Sequence, residues 1–331
     1  MIFQGHYSDV TVPEIALTPF VLQRANQLSG KPALIDGLSG RTISYSQLAQ
    51  RVRHTAKSLV CRGYRKGDVF AIYSPNSPEY AVAFHAIATI GGVVTTVNPR
   101  RTVDELAYQL NDSGAKLLIT TSQLIDKALA AAERSNVREI ITFDHDEGAL
   151  PFAELFESVM TPSEAPTNAL IDPRNDPVAL LYPSRVSGRD IALTRTHYSL
   201  VADICRFDAV SGVDESDVVA GVAPVSRGYG TFMLMTHALW RGVTVVTLPR
   251  FDPDEFLRTI EVYRMTKACL MSQAALALAR HPAIDHFDLS SLKLITTGGG
   301  RDEKIALECG RRLGCAVRQG FEAIDSDVAS T

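Results

Sequence analysis

The sequence has 331 residues, of which 46% are hydrophobic and 21% are charged, and this composition excludes a disordered or collagen-like chain. Its 33 basic and 37 acidic residues give a formal net charge of −4, and because neither sign forms a long run, we exclude a nucleic acid as a partner. The length favours two lobes, since a single core stops growing at roughly 250 to 300 residues.

The first residues lack the basic and apolar segments of a secretion signal, and no stretch approaches a run of about 18 uninterrupted apolar residues. We therefore expect a cytoplasmic protein with no membrane span. The five cysteines have neither C-x-x-C spacing nor zinc-like spacing with histidine, so we expect them to be reduced thiols.

Apolar runs of strand length alternate with amphipathic segments of helix length from residue 44 onward. Ser44 with Gln47, and Thr102 with Glu105, form capping boxes that mark two helix starts. In chain order the pattern predicts helix 44–63, strand 69–73, helix 79–90, strand 93–97, helix 102–112, strand 117–120, helix 123–134 and strand 140–143.

Residues 145–175 interrupt this alternation with an acidic, proline-containing stretch that has room for one short helix at 152–159. The alternation then resumes with strand 178–182, helix 197–210, strand 218–222, helix 231–240, strand 243–248, helix 254–263, strand 268–271, helix 273–280, strand 293–297, helix 302–313 and strand 316–319. The prediction is an α/β fold with doubly wound, mostly parallel sheets and helices on both faces. We expect a first lobe over 1–150, a linker over 151–176 and a second lobe over 177–331.

Two polar loops that follow predicted strands are candidate ligand sites, because parallel sheets bind ligands at the carboxyl ends of their strands. Ser184, Ser187 and Gly188 can hold phosphate through hydroxyl and backbone N–H groups, or they belong to a plain connection. Three consecutive glycines, 298 to 300, allow close approach to a flat ring or a sugar, or they form a flexible turn.

Two further segments are candidates for an apolar pocket and a cation site. Tyr229 and Gly230, in the segment after strand 218–222, can line an apolar pocket, with a core tyrosine as the alternative. Acidic residues near the end of the sequence, Asp325 among them, can bind a hard cation or can be merely solvated. We interpret His85 and His197 as core or cap residues.

Taken in order, these segments resemble the large N-terminal domain of the adenylate-forming superfamily, specifically the 4-coumarate and fatty-acid CoA ligases. The resemblance runs from about residue 10 to the last residue, and residues 42–52, 66–99, 241–267 and 281–299 carry it most clearly. In that family a carboxylate and ATP form an acyl-adenylate with release of pyrophosphate, and coenzyme A then takes the acyl group. The resemblance therefore implies ATP and Mg²⁺ as cofactors, coenzyme A as co-substrate, and a small aryl or fatty acyl carboxylic acid as substrate.

The resemblance also implies roles for single residues. It assigns Ser184, Ser187 and Gly188 to the phosphate loop, Gly298, Gly299, Gly300, Gly320 and Phe321 to the nucleotide, Arg227, Tyr229 and Gly230 to the acid pocket, and Asp325 to the metal. Several motif positions depart from the family. Arg185 stands where the family has glycine, Ile191 where it has the phosphate-loop lysine, and Arg227 where it has histidine.

Departures of this kind predict a degraded homologue, a pseudoenzyme with weak or no ligase activity alone. We assign no catalytic residue, and we expect the C-terminal catalytic domain of the family, with its lysine, to be absent. One alternative is a functional adenylation half that a separate C-terminal chain completes. Another is a non-catalytic binding or regulatory partner of an intact ligase. The expected protein contacts are a homodimer, or pairing with a C-terminal domain or an intact ligase.

Overall fold

Two seven-stranded sheets frame the part of the molecule that the computed structural model describes, which comprises residues 10–146, 148–157, 169–182, 192–298 and 303–319. The strands are β1 (Pro32–Asp36), β2 (Thr42–Ser44), β3 (Val69–Tyr73), β4 (Val93–Val97), β5 (Ala115–Thr120), β6 (Glu139–Thr142), β7 (Leu150–Pro151), β8 (Pro177–Leu181), β9 (Leu193–Thr196), β10 (Val218–Gly221), β11 (Thr244–Thr247), β12 (Lys267–Met271), β13 (Leu294–Gly298) and β14 (Ala316–Gln319).

Helices surround both sheets. They are α1 (Leu17–Val21), α2 (Tyr45–Cys61), α3 (Pro78–Thr89), α4 (Val103–Ser113), α5 (Ile125–Ala132), α6 (Glu154–Glu157), α7 (His197–Ser211), α8 (Gly228–Gly230), α9 (Ala238–Arg241), α10 (Pro253–Tyr263), α11 (Ser272–Ala279) and α12 (Glu303–Leu313). A π-helix, Thr231–His237, joins α8 to α9, and short 3₁₀ turns lie at Ser122–Leu124 and Ile284–His286.

The first sheet has the strand order β7-β6-β5-β3-β4-β8-β9, and the second has the order β14-β13-β12-β10-β11-β1-β2. All pairs are parallel except β1 with β2 and β8 with β9, which are antiparallel. Parallel strands separated by helices require crossover connections, and these place helices on the sheet faces. The predicted α/β fold with mostly parallel, doubly wound sheets is confirmed.

The two sheets exchange strands along the sequence. β1 and β2, from the N-terminal part, enter the second sheet, where Leu34 pairs with Val245. In the other direction, β8 and β9 enter the first sheet, where Ala179 pairs with Val94. The division into lobes at 151–176 stays a prediction, and strands cross it both ways.

Successive side chains of a strand point to opposite faces of the sheet and are buried in different layers of the core. In β3, Phe70 and Ile72 belong to a core that includes α2 and α3, whereas Ala71 and Tyr73 pack in the layer that contains residues of α4 and α5. The larger core also contains Val245 of β11. One apolar cluster therefore extends from the first sheet to the second.

Local sequence signals agree closely with the observed elements. Both predicted capping boxes are present, at Ser44 with Gln47 and at Thr102 with Glu105. The bounds of β3, β4 and β14 are as predicted, and the sequence pattern did not predict α1, β1, β2, β7, α8 or β9. These are short elements; β2, for example, buries one residue fully among its three, so it shows little alternation. The prediction of an α-helix over 231–240 is corrected, because a π-helix occupies most of that range.

Candidate active site

The second sheet has a point where its strand order reverses. β10 lies between β11, which follows it in the chain, and β12, which comes later, and all three strands are parallel. Connections that leave β10 and β12 therefore diverge, and they open a crevice at the carboxyl edge of the sheet. The segment that leaves β10 at this edge comprises residues 222–230, and we call it the pocket segment.

A tight turn shapes the pocket segment. The N–H of Arg227 donates to the carbonyl oxygen of Pro224 at 3.0 Å, and the next residues begin α8. A Cβ atom on Gly230 would lie 2.1 Å from the Pro224 carbonyl oxygen, which is inside any van der Waals contact. Only glycine fits at position 230, because the backbone of the turn occupies the place of a side chain.

Two side chains of the first sheet hold the pocket segment by its backbone. Asn76, which follows β3, is 7% exposed, and its Nδ2 donates to the carbonyl oxygens of Gly221 and Ala223, both at 2.9 Å. Its Oδ1 accepts from the N–H of Val225 at 2.9 Å. Thr96 of β4 donates its hydroxyl to the carbonyl oxygen of Ser226 at 3.2 Å. The sequence prediction missed both residues.

Ser226 itself carries a buried hydroxyl. Its side chain is 8% exposed, and its Oγ has no hydrogen-bond partner within the described ranges. A buried polar atom without a partner is unfavourable unless a ligand or a water molecule supplies the missing hydrogen bond. The pocket segment therefore carries one unused polar side chain at the crevice, beside the exposed side chain of Arg227.

The π-helix continues from the pocket segment and is fixed by a buried histidine. His85 of α3 donates from Nε2 to the carbonyl oxygen of Met235 at 2.7 Å, and its Nδ1 lies 3.1 Å from the hydroxyl of Thr18. Burial lowers the pKa of His85 to about 4, so the imidazole is neutral at pH 7. π-Helical turns are frequent at functional sites.

The two histidines that the sequence placed in the core are confirmed there. His85 is fully buried, as described, and His197 is fully buried at the start of α7. The Nδ1 of His197 accepts from the backbone N–H of Leu17 at 3.2 Å, and burial lowers the pKa of His197 to about 4.

The structure brings three of the predicted site positions to one edge. Arg227 and Gly230 lie in the pocket segment, and Gly298 ends β13 opposite Met271 of β12, two strands from β10. The backbone of Tyr229 lies in α8, but its side chain is outside the described part. The other predicted positions fall outside the described residues, namely Ser184, Ser187, Gly188, Gly299, Gly300, Gly320, Phe321 and Asp325.

Two of these predicted segments follow described strands directly. The predicted phosphate loop follows β8, whose last residue is Leu181, and the hydroxyl of the next residue, Tyr182, donates to Asp112 at 2.6 Å. β14 ends at Gln319, directly before Gly320. Within the described ranges no group of three or more His, Cys, Asp or Glu side chains is arranged to hold a metal ion. The predicted magnesium site at Asp325 therefore stays a prediction.

No helix among the described residues is long and apolar enough to cross a membrane. All five cysteines lie in the described residues outside any disulfide, and of these Cys61 alone is exposed.

The chain has relatives of known name. Its residues 21–321 match the family of AMP-binding enzymes. It is 32% identical to 4-coumarate--CoA ligase 3 of Arabidopsis thaliana and 31% identical to 4-coumarate--CoA ligase 2 of Petroselinum crispum. Each alignment covers 97% of this chain and 58% of the relative, so the chain spans somewhat more than half of their length.

Solved structures give the same fold at lower identity. A red-emitting luciferase from Phrixothrix hirtus superposes with a TM-score of 0.86 at 21% identity, covering 97% of this chain and 63% of the luciferase. The N-terminal domain of FACL13 from Mycobacterium tuberculosis, solved with an inhibitor, gives 0.84 at 21%, covering 94% of this chain and 77% of that one. The fold is that of the N-terminal α/β domain of adenylate-forming enzymes. The chain belongs to the AMP-binding enzyme family.

Proposed function

We propose that this chain binds a small aryl or fatty acyl carboxylic acid and an adenine nucleotide at the crevice of the second sheet. The observation that carries the proposal is the pocket segment. Its Gly230 is packed so closely on Pro224 that no side chain fits, and the segment lies at the edge where β13 delivers Gly298. The relatives named 4-coumarate--CoA ligase support an acid that is activated with ATP and Mg²⁺ and passed to coenzyme A.

Arg227 gives the proposed pocket a positive charge. Its side chain is exposed in the pocket segment, at the position where the family carries histidine. A guanidinium pairs strongly with a carboxylate, through two parallel hydrogen bonds in the best geometry. We therefore assign Arg227 to the carboxylate of the acid and Tyr229 with Gly230 to its apolar part.

The sequence of the phosphate loop supports weak ligase activity for these 331 residues. Ile191 replaces the lysine that the family places near the phosphates, and Arg185 replaces a glycine. Loss of one group that stabilises developing charge costs on the order of 10² to 10³ in rate. We propose that the site binds its ligands and turns them over slowly. The free cysteines accord with a cytoplasmic location.

Binding of a non-hydrolysable acyl-adenylate mimic tests the proposal without depending on turnover. We expect saturable binding by calorimetry, and thermal stabilisation equivalent to about 2.7 kcal/mol at a ligand concentration of roughly 100 times Kd. Aryl and fatty acyl mimics are compared, and the tighter one identifies the class of acid. Adenosine alone is the control. No binding of either mimic at millimolar concentration would refute the proposed site and would favour the non-catalytic pairing role.

Restoring the family residues of the phosphate loop tests the explanation for weak activity. The double variant Arg185→Gly, Ile191→Lys moves the positive charge of the loop from position 185 to position 191 and restores a flexible backbone position at 185. We expect it to bind ATP more tightly than the parent, by calorimetry, while affinity for the free acid stays the same. Equal ATP affinity in the two proteins would show that these substitutions are not what limits the chain.

A further inference from the structure

Side chains of Asn76, the first sheet and α3 bind backbone groups of the pocket segment and of the residues on either side of it. Asn76, Thr96 and His85 come from three consecutive elements and all reach across to backbone groups that lie between Gly221 and Met235. None of these contacts involves a side chain of the pocket segment. Its backbone is therefore held from outside the sheet to which it belongs.

The amide of Asn76 makes the largest contribution. Two carbonyl oxygens, of Gly221 and Ala223, face one end of the amide, so that end is the NH₂ group. The N–H of Val225 faces the other end, which is therefore the oxygen. Three of the four hydrogen bonds available to an asparagine side chain are used on alternate residues of one stretch.

Only an asparagine satisfies this arrangement. An aspartate would present oxygens to two carbonyl oxygens and lose both donors. An alanine would leave the Ala223 carbonyl and the Val225 N–H without the partner that Asn76 supplies, at a site that is almost closed to water, while the Gly221 carbonyl would keep only the N–H of Leu248 at 3.2 Å.

The backbone of Pro224 packs closely on Gly230, since a Cβ atom on Gly230 would lie 2.1 Å from the Pro224 carbonyl oxygen. Pro224 lies between the Ala223 carbonyl and the Val225 N–H, both of which Asn76 binds. A shift of Pro224 toward Gly230 therefore displaces Gly230 as well.

We propose that Asn76 is a positioning residue for the acid pocket, acting through the backbone of residues 221–225 with Thr96 in support. The proposal rests on the proposed function for its ligand. Asn76 is assigned no contact with the acid or the nucleotide. It sets where Arg227 and Gly230 stand, and the geometry of the pocket follows from that.

The test compares Asn76→Ala with Asn111→Ala. Asn111 also donates two amide hydrogen bonds to carbonyl oxygens, but it lies in α4, and its partners are Ala107 and Arg134 rather than residues of the pocket segment. Affinity for the tighter acyl-adenylate mimic is measured by calorimetry at a temperature where each variant is fully folded. We expect Asn76→Ala to weaken binding by roughly 10- to 100-fold, because small misplacements are costly in a shaped site. Asn111→Ala should stay within about twofold of the parent.

Amide hydrogen exchange gives a readout that needs no ligand. The Val225 N–H should exchange at least about tenfold faster in Asn76→Ala, whereas amides of β5 and β12 keep their protection. If Asn76→Ala does not fold, Thr96→Val replaces it, because that change removes one hydrogen bond with little change of shape. It should act in the same direction with a smaller effect, and in that case it is the Ser226 to Arg227 stretch whose amides are followed.

The outcomes separate the two proposals. If the parent protein binds neither mimic, the proposed function fails, while faster exchange at Val225 would still support the structural part of the inference. If the parent binds, and the variant binds equally well, then Asn76 does not position the pocket, whatever its exchange rates. Unchanged Val225 exchange in Asn76→Ala would overturn the proposal outright.

Discussion

Two buried tyrosines of similar exposure differ in what their hydroxyl groups meet. Tyr45 is 1% exposed, and its hydroxyl donates to the carbonyl oxygen of Val243 at 2.7 Å, which ties α2 to the start of β11. Tyr80 is fully buried in α3, and its hydroxyl has no partner among the residues described. Burial raises the pKa of both phenols, so both remain protonated donors at neutral pH. One hydroxyl stabilises the fold, and the other carries an uncompensated desolvation cost.

The corresponding phenylalanine variants should therefore shift stability in opposite directions. We expect Tyr45→Phe to lower the free energy of unfolding by about 1 to 2 kcal/mol, because it leaves a buried carbonyl short of a donor. Tyr80→Phe should raise it by up to about 1 kcal/mol, since it removes a donor that has no acceptor. Urea denaturation at pH 7 measures both. A loss in Tyr80→Phe as large as that in Tyr45→Phe would show that the Tyr80 hydroxyl has a partner, such as an ordered water.

At the scale of elements, local signals were sufficient where the cause of structure is local. The capping boxes at Ser44 and Thr102 act within four residues, and the apolar run of β3 is bounded by turns on each side, so both could be predicted. The π-helix could not. Every residue of Thr231–His237 is buried, so hydrophobicity shows no period there, and the donor to Met235 comes from His85, 150 positions earlier.

The distinction between local and distant causes also explains which residues of the candidate site could be predicted from the sequence. Gly230 could be found because the pocket segment carries a recognisable pattern, and its neighbour Pro224 is only six positions away. Asn76 lies in a short polar turn after β3, and nothing in that turn indicates that β10 ends beside it. Only the strand order of the first sheet could have indicated a role for Asn76. Asn76 follows β3, which lies between β4 and β5 where the order of the first sheet reverses, and side chains at such points often face a ligand or a functional loop.

Gly230 and Gly30 provide a matched pair for the packing of the pocket segment. A Cβ on Gly230 would collide with backbone atoms of Pro224, whereas a Cβ on Gly30 would meet nothing within 4 Å. We expect Gly230→Ala to lower the free energy of unfolding by more than about 2 kcal/mol and to abolish binding of the acyl-adenylate mimic. Gly30→Ala should change stability by no more than about 0.5 kcal/mol. Wild-type stability and binding in Gly230→Ala would contradict the close approach seen in the structure.

At the scale of the whole molecule, the exchange of strands bears on how the protein unfolds. β1 and β2 reach the second sheet from the N-terminal part, and β8 with β9 complete the first sheet from the C-terminal part. The shared core joins Phe70 of the first sheet to Val245 of the second. Neither sheet can lose its strands without exposing apolar surface of the other, which favours one cooperative unit.

A destabilising mutation in one sheet should therefore change the unfolding transition that a fluorescent residue next to the other sheet reports. Trp240, the only tryptophan of the sequence, lies in α9, the helix that leads into β11. It stacks on Phe20 with ring centroids 5.5 Å apart. Leu118 is fully buried in β5, in the layer of the first sheet that packs with α4 and α5. We expect Leu118→Ala to destabilise the protein by about 2 to 5 kcal/mol through the cavity that it leaves.

If the molecule unfolds as one unit, the urea midpoint reported by Trp240 fluorescence should fall in Leu118→Ala as far as the midpoint reported by far-ultraviolet circular dichroism, and the two should coincide in the parent. The reason is that fluorescence of Trp240 changes only when its surroundings unfold, and those surroundings share the core with the first sheet. A Trp240 midpoint that Leu118→Ala leaves in place, with a second transition by dichroism, would instead show two independent lobes, as the division at residues 151–176 predicts.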